Sequence, residues 1–304
     1  MSYRGRFAPS PTGRLHFGSL VAALASYADA RSAQGEWLLR IEDVDRPRTR
    51  EGAAGLILRD LERLGFAWDG DVLHQSARTD AYRAALDALR GRGLAYRCTC
   101  TRRDLASAPR NALGETIYPG YCRPDPAHDG PGSGRAAWRA AVPAQAVTVV
   151  DRGFGSLVQD LAADVGDFVI RRSDGWFAYQ LAVVVDDAAQ GITDVVRGAD
   201  LLLSTPRQVY LQRALGLPTP RYFHVPVATD RHGVKLSKHL GARALADDAA
   251  KALVDAWRFL GQAEPPAPPA SVDEFWTYAL SNWRAGHVPA QFTLPALVNQ
   301  DLHR

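Results

Sequence analysis

With 304 residues, of which 46% are hydrophobic and 23% charged, the chain has the composition of an ordinary globular protein and the length of roughly two domains. No apolar run reaches the roughly 20 residues of a membrane span, and Met1-Ser2-Tyr3-Arg4-Gly5-Arg6 is no secretory leader, so a cytoplasmic protein without a membrane partner is expected. The net charge of +3 permits an anionic partner without demonstrating one.

In chain order, Gly5-Arg6-Phe7-Ala8 reads as a buried strand closed by the Pro9-Ser10-Pro11 turn, and residues 18–33 read as an Ala- and Leu-rich helix. Trp37 to Ile41 is the next strand, followed by helices over about 50–64 and 79–92 and a strand over 94–97. The alternation predicts an α/β fold, a Rossmann-like parallel sheet flanked by helices. Residues 98–178 break into short extended pieces with a Pro- and Gly-rich interruption at 124–135, which predicts an α+β insertion splitting the catalytic domain. The apolar run Tyr179 to Asp187 is read as a strand ending in two carboxylates, opening the second half of the sheet domain over 179–239. A short helical region over 240–304 follows, interrupted by the linker Glu264-Pro265-Pro266-Ala267-Pro268-Pro269. The domains are thus 1–97, 98–178, 179–239 and 240–304.

All three cysteines, Cys98, Cys100 and Cys122, fall in one short window. In a cytoplasmic protein three thiols so spaced point to one structural Zn2+ lacking a fourth ligand. Tyr118, Tyr121 and His128 are the candidates; histidine is the commoner ligand by chemistry alone.

Two distant segments carry the catalytic signal. Ala8-Pro9-Ser10-Pro11-Thr12-Gly13-Arg14-Leu15-His16-Phe17-Gly18-Ser19 places an imidazole between a Pro/Gly turn and a helix start, where backbone donors and the helix dipole favour phosphate. The alternative for His16 is a helix-capping or surface residue. Gly233-Val234-Lys235-Leu236-Ser237-Lys238 supplies two lysines on a loop. Together they suit ATP activation of a carboxylic acid, in which the protein positions groups and neutralises developing phosphate charge.

These segments resemble the HIGH and KMSKS signatures of class I aminoacyl-tRNA synthetases, with Ser19 and His239 in place of the final histidine and serine. The lead-in from Arg6 and the segment Leu39-Arg40-Ile41-Glu42-Asp43-Val44-Asp45-Arg46-Pro47 resemble the glutamyl and glutaminyl branch, and specifically its shortened paralogues of glutamyl-tRNA synthetase. The resemblance implies a ligase that forms glutamyl-adenylate from L-glutamate and ATP with Mg2+, then transfers glutamate to queuosine at the wobble position of tRNA(Asp). A monomer is expected, and next to that resemblance the length of the chain leads to the expectation of no anticodon-binding domain. The resemblance assigns ATP to His16, Gly18, Ser19, Lys235 and Lys238, with His16, Lys235 and Lys238 catalytic, and glutamate to Arg6, Ala8, Ser10, Glu42, Tyr179 and Arg197. It favours Tyr118 as the fourth metal ligand beside Cys98, Cys100 and Cys122.

Arginine suits a carboxylate because its planar fork pairs bidentately. The competing possibility is that Arg6 and Arg197 merely pair with Asp43, Asp45, Asp186 or Asp194. His224 is left as a strand-end residue with no assigned role. The rival functions are a truncated synthetase charging the tRNA 3′ end and a non-catalytic RNA-binding paralogue.

Overall fold

The computed structural model describes residues 2–45, 47, 49–111, 114–123, 135–230, 232–236 and 248–295. Lys238 and His128 lie outside the described residues.

The first half follows the alternation of its sequence. Strand β1 (Arg4–Phe7) leads through the proline turn into α1 (Phe17–Ser32), and β2 (Glu36–Ile41) returns parallel to β1. Helix α2 (Ala53–Arg63), the short β3 (Leu73–His74), parallel to β2, and α3 (Thr79–Gly91) complete it.

The stretch 98–178, expected as one insertion, divides between two sheets. Strands β4 (Ala95–Cys98), β5 (Ala137–Ala140) and β8 (Phe168–Arg171) form a separate antiparallel sheet. Between β5 and β8, the hairpin β6 (Ala146–Asp151) and β7 (Gly155–Asp160), followed by the single turn α4 (Leu161–Asp164), instead extends the parallel sheet of the second half. Alternation explains this: Val147, Val149 and Asp151 of β6 are buried while Thr148 and Val150 face out, the pattern of a strand with one covered face.

The run from Tyr179 corrects the sequence expectation. It is a helix, α5 (Tyr179–Ala189), not a strand. Leu181 to Val184 are all buried, as are Asp186 and Asp187, so the helix is covered nearly all round and its apolar run mimics a buried strand. The second half then continues with β9 (Asp194–Gly198), α6 (Thr205–Leu215), β10 (Arg221–Val225) and β11 (Val227–Thr229).

Strand β10 lies between β9 and β6, parallel to both. The two halves meet where the Thr193 N–H donates to the Arg4 carbonyl at 2.9 Å. Successive residues of β9 and β10 face opposite layers. Val196, Phe223 and Val225 join the core made with α1, α2 and the C-terminal helices, whereas Val195 and Tyr222 join the core made with α3, α5 and α6.

The region beyond 247 contains α7 (Ala249–Phe259) and α8 (Val272–Asn282), but it also returns a strand to the domain. Strand β12 (Thr293–Pro295) pairs in parallel with β11, so the expected purely helical region is mixed. Trp276 of α8 donates to the Leu64 carbonyl at 2.9 Å and packs edge-on against Tyr27 and Phe66. Burying such rings contributes on the order of 2 kcal/mol each to holding the C-terminal helices down. Among the described residues no helix is long and apolar enough to cross a membrane.

Candidate active site

The C-terminal ends of β1, β2 and β9, the start of α1 and the lysine hairpin enclose a cavity of about 700 Å³. Arg6, Ala8, Ser10, His16, Gly18, Ser19, Glu42, Tyr179, Arg197 and Lys235 all line it. Residues spread over 230 positions therefore converge, as expected where ligands bind outside the carboxyl ends of parallel strands.

Local bonds set the walls. Asp60 of α2 accepts the Leu15 N–H at 3.2 Å and pairs with Arg14 at 2.5 Å, which pins the turn before His16. The Glu42 N–H donates to the Pro9 carbonyl at 3.0 Å and brings the end of β2 against the proline turn. His16 is the N-cap of α1: Nδ1 accepts the Ser19 N–H at 3.3 Å, and Nε2 lies 3.1 Å from the Ser19 hydroxyl. The imidazole thus takes the capping role and lines the cavity as well. A Cβ at Gly18 would fall 3.3 Å from the His16 ring, a tight contact, and 3.7 Å from the Leu236 carbonyl, an ordinary one, so glycine there lets the imidazole lie close over the helix start.

Lys235 sits on a hairpin folded back from β11, with the Leu236 N–H donating to the Ala228 carbonyl at 2.9 Å. Its ammonium is exposed and pairs with Asp200 at 2.5 Å on the cavity rim. Such a pair is worth at most about 1 kcal/mol and is readily exchanged for a phosphate.

Deeper in, charges are arranged unequally. Arg6 is buried and pairs with Asp187 of α5, through Nε to Oδ1 at 3.0 Å and Nη2 to Oδ2 at 3.4 Å. Its partner is thus an aspartate adjacent to Asp186, one of those weighed from sequence. Arg40, wholly buried, reaches the same Asp187 oxygen at 2.7 Å and lies 3.5 Å from Glu42 Oε1. Two cations hold the Asp187 carboxyl below its ordinary value despite the burial that opposes ionisation.

Glu42 has no such arrangement. Its Oε1 is buried without a hydrogen-bond partner. Burial pushes its carboxyl up to about 7, against the pull of Arg40 and Arg6. An orphaned buried carboxylate oxygen on a cavity wall is an acceptor awaiting a cationic donor.

Arg197 pairs with no carboxylate among the described residues. Its Nε donates to His224 Nε2 at 3.0 Å, Nη2 to the Thr205 hydroxyl at 2.9 Å, and Nη1 to the Tyr179 hydroxyl at 3.3 Å. Arg40, Asp187 and Asp151 stand behind the cavity wall and were given no role from sequence; His224, beside them, was noted there as a strand-end residue without a role. The paired carboxylates at the end of the Tyr179 run were the visible signal for Asp187.

The three thiols also converge, their sulfurs within 4.8 Å of one another. The Tyr118 hydroxyl lies 3.4 Å from Cys98 Sγ and 3.7 Å from Cys100 Sγ, and accepts the Cys122 N–H at 2.8 Å. Tetrahedral zinc with Zn–S bonds of about 2.3 Å requires sulfurs about 4 Å apart, so the donor set is compatible with zinc. Tyr121, at 59% exposed, is turned to solvent.

Comparison with known proteins identifies the frame of this site. The family described as tRNA synthetases class I (E and Q), catalytic domain, matches residues 2–263. The chain belongs to this family of ligases. A protein named Glutamyl-Q tRNA(Asp) synthetase from Thiobacillus denitrificans is 55% identical to this synthetase over 287 residues, 94% of each chain. One of the same name from Chromobacterium violaceum is 54% identical, covering 95% of this chain and 96% of the other. The crystal structure of a glutamate-tRNA synthetase from Elizabethkingia anophelis superimposes with a TM-score of 0.82 at 23% identity, over 97% of this chain and 68% of that one. That likeness establishes a class I catalytic fold with a mostly parallel sheet.

Proposed function

We propose that this synthetase condenses L-glutamate with ATP to glutamyl-adenylate and transfers the glutamyl group to queuosine at the wobble position of tRNA(Asp). The observation that carries the amino-acid half is the pairing, across one cavity, of an orphaned carboxylate on Glu42 with a guanidinium on Arg197 that lacks an acidic partner. A zwitterion with a second carboxylate satisfies both. The acceptor half rests on the names carried by relatives more than 50% identical over nearly the whole chain.

In this reading Glu42 accepts the α-ammonium, and Arg197 with the Tyr179 hydroxyl holds the side-chain carboxylate. Arg6 and the backbone around Ala8 and Ser10 border the α-carboxylate. An oxygen of that carboxylate attacks the α-phosphorus, the bond from that phosphorus to the bridging oxygen breaks, and pyrophosphate leaves. Lys235 and Lys238 neutralise the charge that develops on the phosphates, His16 offers them a ring N–H as donor, and Mg2+ arrives with the nucleotide as its counter-ion. A hydroxyl of the queuosine cyclopentenediol then attacks the glutamyl carbonyl and AMP departs. Cys98, Cys100, Cys122 and Tyr118 would hold one structural zinc that ties β4 to the residues after it.

Glutamate-dependent ATP–pyrophosphate exchange without tRNA is the expected first activity, followed by labelling of tRNA(Asp) only when queuosine is present. Radiolabel recovered in an anticodon-loop fragment supports the assignment. Label confined to the 3′ end rejects it in favour of ordinary charging.

A further inference from the structure

Arg197 holds its charge in a buried wall without a direct acidic neighbour among the described residues, and the nearest counter-charge along its hydrogen bonds lies one imidazole away. We propose that Asp151 and His224 are positioning residues for substrate recognition: His224 accepts the Arg197 Nε hydrogen, Asp151 fixes the imidazole, and the Nη1 edge of the guanidinium, beside the Tyr179 hydroxyl, is left for the substrate's side-chain carboxylate. The inference rests on, and deepens, the reading of the cavity as a glutamate site.

Three adjacent strands supply one residue each. His224 of β10 is the register partner of Arg197 on β9, and Asp151 ends β6 on the other side of β10. His224 Nδ1 lies 2.6 Å from Asp151 Oδ2, with both side chains wholly buried. Guanidinium nitrogens only donate, so Nε2 facing Arg197 must accept, and the ring proton sits on Nδ1 toward Asp151. Burial and the charge of Arg197 push His224 down to about 4, against the opposing pull of Asp151, so the ring is neutral at physiological pH.

Asp151 is itself held from behind. Oδ1 accepts the N–H groups of Gly153 and Phe154, each at 2.9 Å, and Oδ2 accepts the His224 N–H at 3.1 Å. The turn has room for no side chain at Gly153: a Cβ there would fall 2.9 Å from the His224 carbonyl and 3.4 Å from Asp151 Oδ1. On the other edge of the guanidinium, Nη2 donates to the Thr205 hydroxyl at 2.9 Å and to the Leu201 carbonyl at 3.4 Å, and the Thr205 hydroxyl lies 3.2 Å from that carbonyl and 3.3 Å from His224 Nε2.

A direct aspartate would neutralise Arg197 by occupying the donors that the substrate needs. Delivering the negative charge through a neutral imidazole keeps the rotamer fixed and the Nη1 edge available, a form of preorganisation. The row Asp151, His224, Arg197 therefore sets affinity for an anionic side chain and leaves ATP binding untouched.

Two substitutions at one position separate the halves of the relay. His224→Gln places a carbonyl oxygen near the Nε2 position and keeps an acceptor for Arg197; His224→Asn keeps a donor toward Asp151 but withdraws that acceptor. In glutamate-dependent exchange, His224→Asn should raise KM for glutamate about 30-fold, the loss of one hydrogen bond to a charged group, with KM for ATP within about twofold. His224→Gln should stay within about fivefold of wild type for glutamate. Thr205→Val, which removes the second anchor while keeping its shape, should raise KM for glutamate about tenfold and decides the matter if neither His224 variant folds. Equal effects of the Asn and Gln variants, a parallel rise in KM for ATP, or an unchanged KM for glutamate in the Thr205 variant would overturn the positioning role. Wild-type exchange that does not depend on glutamate overturns the underlying reading, whereas dependence on glutamate without the split overturns only this inference.

Discussion

Arg6 and Arg197 line the same cavity, both buried, yet they are neutralised in opposite ways. Arg6 grips Asp187 directly, and Arg40 shares that carboxylate from the other side. Arg197 meets an imidazole, a threonine hydroxyl and a tyrosine hydroxyl, with Asp151 behind the imidazole. A cation locked to a carboxylate builds the wall; a cation held by neutral acceptors remains able to bind. In the proposed reading, what stands behind each arginine divides the work: Arg6 builds the wall that borders the α-carboxylate, and Arg197 recognises the side-chain carboxylate.

Removing Arg197 should produce the largest functional loss. Arg197→Ala takes hydrogen bonds from His224, Thr205 and Tyr179 and the cation nearest to the Asp151–His224 pair, so the unfolding midpoint should fall, and the site loses its cation for the substrate carboxylate. We expect kcat/KM for glutamate in pyrophosphate exchange to fall about 10⁴-fold, the scale on which sites built around a polar group reject its absence. Survival of exchange within about tenfold of wild type would place the side-chain carboxylate elsewhere.

The Arg6 side should fail in stability. Asp187→Asn strips the shared counter-charge from Arg6 and Arg40 and leaves two buried guanidinium groups uncompensated, which costs about 3 kcal/mol. Urea denaturation should show this as a lower midpoint with an unchanged m-value. An Asp187→Asn protein as stable as wild type would mean that Glu42 alone balances both arginines, and the contrast between the two sides would collapse.

How much of this was legible in the sequence differs residue by residue. His16 stood in a segment whose local order marked it, Glu42 and Arg197 were reached through the family resemblance, and β1, α1 and β2 followed from periodicity to within a residue or two. The Tyr179 run did not, because a helix covered on all sides lacks the alternating exposure that distinguishes it from a buried strand. Nor could local reading assign partners. Arg6 finds Asp187 across 181 positions and His224 finds Asp151 across 73, so which arginine is silenced and which is left available is a property of the sheet order. The Cys98, Cys100 and Cys122 cluster was legible by spacing alone, whereas spacing did not separate Tyr118 from Tyr121 and His128, and Tyr118 was favoured by the family resemblance.

The smallest expected effect is on pH, and it tests the residue that stands between the two arginines. Glu42 carries its proton in the free folded protein up to about 7, where an ordinary glutamate side chain would have lost it near 4.5. The folded state therefore binds more protons than the unfolded state across that window, and stability falls as pH rises from 4.5 to 7, then levels. An α-ammonium needs the ionised form, so glutamate binding must expel the proton below pH 7. The affinity for glutamate should weaken about tenfold per unit as pH drops from 7 to 5.5 and reach its plateau near 8. Glu42→Gln should abolish that slope, bind glutamate weakly at every pH, and relieve a cost of roughly 3 kcal/mol that the buried carboxylate imposes at pH 8. Calorimetric titration of glutamate at several pH values, paired with thermal unfolding of both proteins, reads the two halves together. A pH slope that persists in the Gln variant would assign the titrating group to another residue, and Glu42 would then be a wall residue like Asp187.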